Sequence, residues 1–294
     1  MDTPILSSNW IEDNMESFRP PICNKLMHRK GLSVMFVGGP NRRTDFHVDE
    51  SSEFFFQLRG SMELPIIERG KRKVVTIKEG QVFLLPSRVP HSPQRPEAGS
   101  IGLVIERRRD TITELDCMRW YDDFSTCESV QFEKFFPCRD LGKDLVPVAE
   151  AYRQFLQVNN GHGFERTATP PMSDNMESVI PDPFYLQEWC NSKEDEFRMG
   201  TTLSLFGDDH PDKEFQILVS SENGLLIKAE KFEVFIFQLS GEVDMSDEST
   251  TTTLSETSCF VVPENGEVRL DNRRGRNSLT LILHCDPLGN KGKN

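Results

Sequence analysis

Two stretches of the sequence repeat each other, and this repeat limits the possible folds more than any other feature. EFFFQLRGSMEL at 53–64 corresponds to VFIFQLSGEVDM at 234–245, and VFLLPSRVP at 82–90 corresponds to CFVVPENGE at 259–267. The offset is 181 residues for the first pair and 177 for the second, which a loop shorter by four residues explains. The repeat predicts two structural units of the same kind.

The local pattern within the repeat is that of β-strands. Between Leu32 and about Glu106, short runs rich in Val, Ile, Phe and Leu alternate with Gly, Pro, Asn and charged residues: LSVMFVGG, EFFFQLRG, MELPIIERG, KVVTIKEG, QVFLLP and IGLVIE. This pattern is typical of an antiparallel sandwich or barrel. We therefore predict a mainly β protein.

The segment between the two copies has a different character. Apolar residues at helical spacing predict a helix over 144–158, and the following segment is rich in Pro, Gly, Asn and Ser, as linkers are. A second helix is predicted to begin at Asp182 and Pro183 and to end at Gly200. The predicted domains are 1–157 and 184–294, joined by a linker at 158–183.

Composition excludes several classes of function. The formal charge of −13 disfavours a nucleic-acid or anionic-membrane partner, so we interpret the run Arg107 to Arg109 as a solvated strand end. No stretch approaches 18 apolar residues and the first residues do not resemble a secretory signal, which predicts a cytoplasmic protein. Seven scattered cysteines without a C-x-x-C pair predict reduced thiols.

Comparison of the two copies distinguishes residues that the β-structure requires from residues that could form a functional site. His47, Glu53 and His91 align with Lys228, Val234 and Val268, so all three potential metal ligands are missing from the second copy. Each residue alone also suits an ordinary role: His47 as a strand cap, Glu53 as an exposed strand residue, His91 as part of a surface turn.

Together, these three residues favour a metal site. Two imidazoles and one carboxylate form the facial set that binds Fe(II) and leaves coordination positions open. His47 and Glu53 are an even number of residues apart and share a face, while Pro90 and Pro93 place His91 at a rigid corner.

Two motifs resemble the cupin family. GPNRRTDFHVDESSEFFFQLRG at 39–60 resembles the first cupin motif, with Asp49 in place of the usual second histidine, and GQVFLLPSRVPHSPQR at 80–95 resembles the second. PPICNKLMH, VMFVGGPNRRTDFH, FLLPSRVPHSPQR, GLVIERRR and LSLFGD resemble the 3-hydroxyanthranilate 3,4-dioxygenases of the animal, two-cupin type. The resemblance covers nearly the whole chain and is densest in the first copy.

This resemblance implies two jelly-roll β-barrels, a catalytic one and a degenerate, metal-free one. One Fe(II) per chain would be held by His47, Glu53 and His91, with no second iron. The implied reaction is the opening of 3-hydroxyanthranilate by O2 to 2-amino-3-carboxymuconate semialdehyde, the precursor of quinolinate in the kynurenine pathway of tryptophan catabolism and NAD synthesis. A monomer is expected.

The resemblance also implies roles for residues beyond the metal ligands. Arg95 corresponds to the residue that binds the substrate carboxylate, and Arg43 to the arginine beside the oxygen and substrate pocket. Glu106 corresponds to an acid at the polar edge of the substrate, and Asn24 is expected to line the pocket.

Two other interpretations stay open on the sequence. Another mononuclear cupin, such as a different dioxygenase or a metal-dependent sugar isomerase, could use the same ligands, and O2 uptake with 3-hydroxyanthranilate distinguishes it. A two-cupin storage or regulatory protein would keep the barrels without the paired arginines, and it would work equally well without metal.

Overall fold

A computed structural model describes residues 3–20, 23–110, 112–273 and 278–290. Pro21 and Ile22 of the PPICNKLMH segment lie outside the described residues.

The chain is mainly β, as predicted. Its strands are β1 (Ile5–Leu6), β2 (Asn24–Arg29), β3 (Leu32–Gly38), β4 (Asp45–Val48), β5 (Glu53–Arg59), β6 (Met62–Glu68), β7 (Lys71–Ile77), β8 (Gln81–Leu85), β9 (Ile101–Arg107), β10 (Asp116–Tyr121), β11 (Val130–Phe136), β12 (Phe184–Tyr185), β13 (Thr202–Ser204), β14 (Phe215–Ser220), β15 (Leu225–Lys228), β16 (Val234–Ser240), β17 (Val243–Ser246), β18 (Thr251–Leu254), β19 (Ser258–Val262), β20 (Glu267–Asn272) and β21 (Leu279–Cys285). Its helices are α1 (Ser7–Asp13), a 3-10 helix (Met15–Phe18), α2 (Leu141–Val158), α3 (Leu186–Ser192) and α4 (Glu194–Arg198).

The chain forms two compact units. The first β unit comprises Phe18–Asn24 and Phe36–Phe184, and the second comprises the described residues of Met1–Ser17, Lys25–Met35 and Tyr185–Asn294. The N-terminal segment therefore groups with the C-terminal copy of the repeat. The domain bounds 1–157 and 184–294 stay a sequence-based prediction.

The first β unit is built around β5. This strand lies between β8 and β9, with both pairings antiparallel. A second sheet has the order β11-β10-β4, and β6 and β7 form a hairpin. The strands around β5 are buried along most of their length, because the aromatic and β-branched residues of their sequence runs face the interior.

The second β unit repeats this arrangement. Its sheets have the orders β1-β19-β16-β21-β14-β13 and β15-β20-β17-β18. Glu53 lies opposite Leu85 and Glu106, and Val234 lies opposite Val262 in the same manner. The pairings reproduce both sequence offsets, so the internal repeat is also a structural one.

The helices differ in part from the predicted ones. The helix predicted over 144–158 is present as α2, which begins three residues earlier. The helix predicted from Asp182 to Gly200 is confirmed in part: the short strand β12 comes first, helical geometry begins only at Leu186, and Lys193 (φ −115°, ψ 19°) separates α3 from α4. Gly200, with φ of +73°, follows the end of α4, as expected for a helix-terminating glycine. In the described part of the chain, no helix has the length and apolar character needed to cross a bilayer.

The segment predicted as a linker is held against the first β unit. The Glu165 backbone N–H donates to Gln131, and the Ile180 N–H donates to the Glu68 carboxylate. Asn175 donates from its backbone and its side chain to the carbonyls of Arg88 and Ser87. The two Asn175 bonds attach the segment to the loop that leads into His91.

Candidate metal centre

Four buried side chains converge in the first β unit. His47, Asp49, Glu53 and His91 each offer one potential ligand atom, and these atoms all lie within 4.8 Å of one another. The three residues predicted as ligands are thus brought together, and Asp49 joins them. We call these four residues the metal group.

His47 is oriented by strand β4 and by a carboxylate on a neighbouring strand. Its backbone N–H donates to the His91 carbonyl, and the His91 N–H donates back, so the two residues are fixed side by side. On its ring, Nε2 lies 2.7 Å from Asp116 Oδ2. An ionised carboxylate only accepts, so Nε2 is the donor in this bond, and Nδ1 is the ring nitrogen that faces the metal group, 3.4 Å from Asp49 Oδ2.

His91 is oriented by its own loop. Its Nδ1 donates to the Val89 carbonyl at 2.9 Å, which leaves Nε2 pointing at Glu53 Oε1, 3.1 Å away. Burial alone would lower the pKa of His91, but the Glu53 carboxylate raises it to about 9. Burial opposes ionisation of Glu53, yet the charge and hydrogen bond of His91 bring its pKa below the usual value. Without a metal, these two residues therefore form a buried ion pair.

Asp49 is a member of the group that the sequence analysis did not propose as a ligand. Its Oδ1 accepts the Ser51 backbone N–H at 2.8 Å, and Oδ2 lies 3.4 Å from His47 Nδ1. Within the described residues, Oδ2 is buried and has no hydrogen-bond partner. Burial is the main cause of the raised pKa of Asp49. Asp49 stands where the first cupin motif usually has its second histidine, and this position could have indicated that it belongs to the group.

These residues fit a metal ion. Buried carboxylates and imidazoles are costly to desolvate unless a counter-charge or ligand pairs with them. Both imidazoles already have a partner on the ring nitrogen that faces away from the group, as metal-ligating histidines do. The orphaned Asp49 oxygen is a further acceptor beside them, available to a metal ion or to a molecule bound next to it.

Arg109 connects the metal group to its surroundings. Its Nη1 donates to Glu106 at 2.8 Å, its Nη2 donates to Asp116 at 2.9 Å, and Asp49 Oδ1 lies 4.0 Å away. The interpretation of Arg107 to Arg109 as a solvated strand end is wrong for two of the three residues. Only Arg108 is exposed, because Arg107 pairs with buried Glu114 and Arg109 with buried carboxylates.

Glu106 lies next to the metal group. It is directly opposite Glu53 across β5 and β9, so the two side chains share a face. Burial, assisted by the charges of Glu53 and Asp49, raises the pKa of Glu106 to about 7 despite the nearby Arg109. Arg43 is half-buried and pairs with Asp45. Burial would lower its pKa, but the charge and hydrogen bond of Asp45, with a smaller contribution from Glu53, raise it.

Arg95 is the most unusual cation of the first β unit. It is 1% exposed, and its Nη1 donates to Gln57 Oε1 at 2.9 Å. Its Nε has no hydrogen-bond partner, and among the described residues no carboxylate forms an ion pair with it. Burial accordingly lowers its pKa to about 10. Asn24 is half-buried at the start of β2, and the described contacts do not link its side chain to the metal group.

The second β unit has an apolar cluster where the first has the metal group. Ile227 pairs with Val268 as His47 pairs with His91, and the Asn265 N–H donates to Ala229 as the Arg88 N–H donates to Asp49. The alignment of His47 with Lys228 is therefore wrong by one residue. The metal group corresponds to Ile227, Ala229, Val234 and Val268, which all lie in one buried hydrophobic cluster.

Comparison with known proteins gives a consistent result. A family model described as 3-hydroxyanthranilic acid dioxygenase matches residues 1–153. The chain is 38% identical to the 3-hydroxyanthranilate 3,4-dioxygenase of Rattus norvegicus, with 98% of both chains covered, and 42% identical to that of Homo sapiens, with 95% of this chain and 94% of that one covered. Among solved structures, a cupin 2 conserved barrel domain protein from Leptotrichia buccalis is similar at a TM-score of 0.49 and 10% identity, with 97% of this chain and 96% of that chain covered. By the family model and the full-length relatives, this chain belongs to the 3-hydroxyanthranilic acid dioxygenase family.

Proposed function

We propose that this chain opens the ring of 3-hydroxyanthranilate with O2, using one Fe(II) held by His47, Glu53 and His91. The product is 2-amino-3-carboxymuconate semialdehyde, which contains both atoms of O2 and results from cleavage between ring carbons 3 and 4. This is the reaction named for its relatives. When bound, Fe(II) supplies open coordination positions and the redox chemistry of oxygen activation.

The buried, unpaired Arg95 is the observation that carries the choice of substrate. A guanidinium removed from water without a carboxylate partner is costly, so a protein keeps one where a ligand supplies the anion. The substrate carries one carboxylate on its ring. Two parallel charge-assisted bonds from the guanidinium, each contributing about 1.5–3 kcal/mol, would bind and orient this group.

The spacing along β5 suits a single aromatic ring. Glu53 and Gln57 lie on one face of the strand, and their Cα atoms are about 13 Å apart at ~3.3 Å per residue. Arg95 reaches in at the Gln57 end, and the metal group lies at the Glu53 end. Phe55 lies between them on the same face. The proposed pose places the hydroxyl and amino groups of the ring toward the metal group and its carboxylate toward Arg95.

Glu106 and Arg43 take the remaining roles in this proposal. With a pKa of about 7, Glu106 accepts the proton that the substrate hydroxyl releases on binding, and Arg109 keeps the carboxyl group in place. Arg43 adds positive charge beside Glu53, where the reacting groups meet. Asn24 is assigned to the wall of the pocket on family resemblance alone.

We assign Asp49 to substrate positioning rather than to metal ligation. A fourth protein ligand would occupy a position that the substrate or O2 needs. The Asp49 Oδ2 atom, which has no hydrogen-bond partner among the described residues, can instead accept a bond from the substrate amino or hydroxyl group.

The test uses the full chain after metal removal and anaerobic reloading with Fe(II). We expect O2 uptake and absorbance of the ring-cleavage product to begin together when 3-hydroxyanthranilate is added in air, in a one-to-one ratio of O2 to substrate. The metal-free chain serves as the control and is expected to do neither. If the iron-loaded chain consumes no O2 with this substrate, the proposed reaction is wrong; if Mn(II) or another metal restores turnover while Fe(II) does not, the choice of iron is wrong.

Two further features complete the proposal. We expect the enzyme to act in the cytoplasm, since its substrate and its reduced thiols both suit that compartment. We also expect a monomer, because two fused copies provide within one chain the pairing that a single-copy protein obtains by dimerisation.

A further inference from the structure

The surroundings of Arg95 differ from the equivalent place in the second β unit at two positions: Arg95 and Gly102 correspond to Asn272 and Thr280. In the first unit, Gln57 lies opposite Gly102, and Gln57 Oε1 accepts a bond from Arg95 Nη1 at 2.9 Å. In the second unit, Gln238 lies opposite Thr280, and Gln238 Oε1 accepts a bond from the Thr280 hydroxyl at 2.7 Å. The residue 177 positions beyond Arg95 is Asn272, which has no charge.

The glutamine has the same structural duty in both units. Gln57 Nε2 donates to the Arg59 carbonyl at 2.9 Å, and Gln238 Nε2 donates to the Ser240 carbonyl at 2.8 Å. Each bond spans a bulge in the strand. The amide oxygen is the part of the side chain whose partner changes, from a hydroxyl in the second unit to a guanidinium in the first.

Gly102 provides the space for that guanidinium. A β-carbon at this position would lie 2.6 Å from Arg95 Nη2 and 2.7 Å from Gln57 Oε1, closer than such atoms can approach. Both atoms are the ends of flexible side chains, so a methyl group would displace them without moving the backbone. Its main consequence would be a shifted guanidinium rather than an unfolded sheet.

We propose that Gly102 and Gln57 are positioning residues for the carboxylate-binding site: Gly102 leaves the space that Arg95 occupies, and Gln57 holds the guanidinium through one amide oxygen. Because this oxygen is neutral, it orients the cation without neutralising it. The remaining N–H groups of Arg95 stay available for an anionic group on the substrate. This inference rests on the proposed function and adds the reason why the first unit selects a ring with a carboxylate.

Two variants test the proposal from opposite directions. Gly102→Ala displaces the guanidinium, and Gln57→Glu gives it an internal carboxylate that competes with the substrate. The matched control is Gln238→Glu in the second unit. It loses the equivalent amide bond across the bulge of β16, but its side chain faces the Thr280 hydroxyl instead of a guanidinium. For each protein loaded with Fe(II), we would measure anaerobic dissociation constants for 3-hydroxyanthranilate and for 2-aminophenol, which lacks the carboxylate.

We expect Gly102→Ala and Gln57→Glu to weaken binding of 3-hydroxyanthranilate roughly 10- to 100-fold, the effect of one lost charge-assisted bond. Binding of 2-aminophenol should stay within about twofold of the wild type, and Gln238→Glu should change neither constant. The thermal unfolding midpoint of Gly102→Ala should stay close to that of the wild type, because only side-chain ends must move.

Several results would overturn the inference. Equal weakening for both compounds would make Gly102 and Gln57 general structural residues, and unchanged binding of 3-hydroxyanthranilate would show that the guanidinium needs neither. If Gly102→Ala does not fold, Gln57→Glu alone decides. An inactive wild type would instead contradict the proposed function, so the two failures can be told apart.

Discussion

Glu53 and His91 form a buried ion pair in the metal-free protein, and the second β unit offers a natural replacement for it. The two side chains are 9% and 4% exposed and lie 3.1 Å apart. The equivalent residues Val234 and Val268 are 2% and 3% exposed in an apolar cluster. Replacing only one of the two residues by valine should therefore lower the free energy of unfolding of the metal-free protein, whereas replacing both should not.

The expected size of the effect follows from the cost of an isolated buried charge. Glu53→Val leaves a protonated His91 without its partner, and His91→Val leaves an ionised Glu53; breaking a buried pair in this way costs about 3–5 kcal/mol. Each remaining group can neutralise itself, His91 by losing a proton and Glu53 by gaining one, so both single variants should lie near the lower limit. The double variant has no isolated charge, and replacing a whole pair by apolar residues ranges from neutral to about 1–4 kcal/mol stabilising. The coupling between the two substitutions, which is the double effect minus both single effects, should therefore have a magnitude of at least about 6 kcal/mol.

The assay is a double-mutant cycle in denaturant, with metal removed by chelation and the pH near 6, where both groups are charged. Wild type, both single variants and the double variant are compared through their unfolding midpoints and slopes. Adding Zn(II) provides the control, because it should stabilise the wild type and none of the variants. If the two single effects add to the double effect within about 0.5 kcal/mol, the residues do not interact and the description of the metal-free site is wrong.

Four further predictions concern the metal and the substrate. His47→Ala, Glu53→Ala or His91→Ala should abolish iron retention and turnover while the β-structure seen by circular dichroism persists; a variant with normal iron content would contradict its assignment as a ligand. Chelation of the wild type should abolish activity reversibly, and Zn(II) should fill the site without restoring turnover because it has no redox chemistry, so activity with zinc would exclude an oxidative role for the metal. Asp116→Asn should weaken metal affinity roughly 10- to 100-fold in competition with a chelator, since it replaces the anionic acceptor of His47 Nε2 by a neutral amide, and unchanged affinity would mean that the charge of Asp116 does not support His47 as a ligand. Arg95→Lys should raise KM for 3-hydroxyanthranilate and lower kcat, because a lysine cannot reproduce the planar fork; 2-aminophenol is the control, and an equal penalty on both compounds would make Arg95 structural.

Most strands of the first β unit could be predicted from the sequence because their signals are local. Each of the six runs between Leu32 and Glu106 combines β-branched or aromatic residues with a Gly, Pro or charged boundary, and each became a strand in the predicted place. The second helix was less predictable. The helical pattern of its sequence continues through Lys193, whereas the backbone leaves helical geometry at this residue.

The parts of the site that were missed depend on contacts between distant strands. Asp116 supports His47 from 69 residues away, and nothing in the sequence around Asp116 indicates a partner. Gly102 resembles any glycine in a strand until the guanidinium beside it is located. The one-residue error at Lys228 has the same origin, because only the hydrogen-bonding register reveals that the loop before Val234 is one residue longer than the loop before Glu53.

The pairing of β1 affects the order in which parts of the chain can fold during synthesis. Ile5 pairs with Cys259 and Leu6 with Ser258, so β1 leaves the ribosome long before the strand with which it pairs. At about 5–20 residues per second, this wait is on the order of tens of seconds. The segment 36–184, which contains the metal group, has emerged well before then. The first β unit can therefore assemble while β1 is still unpaired, and β1 gains its partner only when the ribosome has passed residue 259.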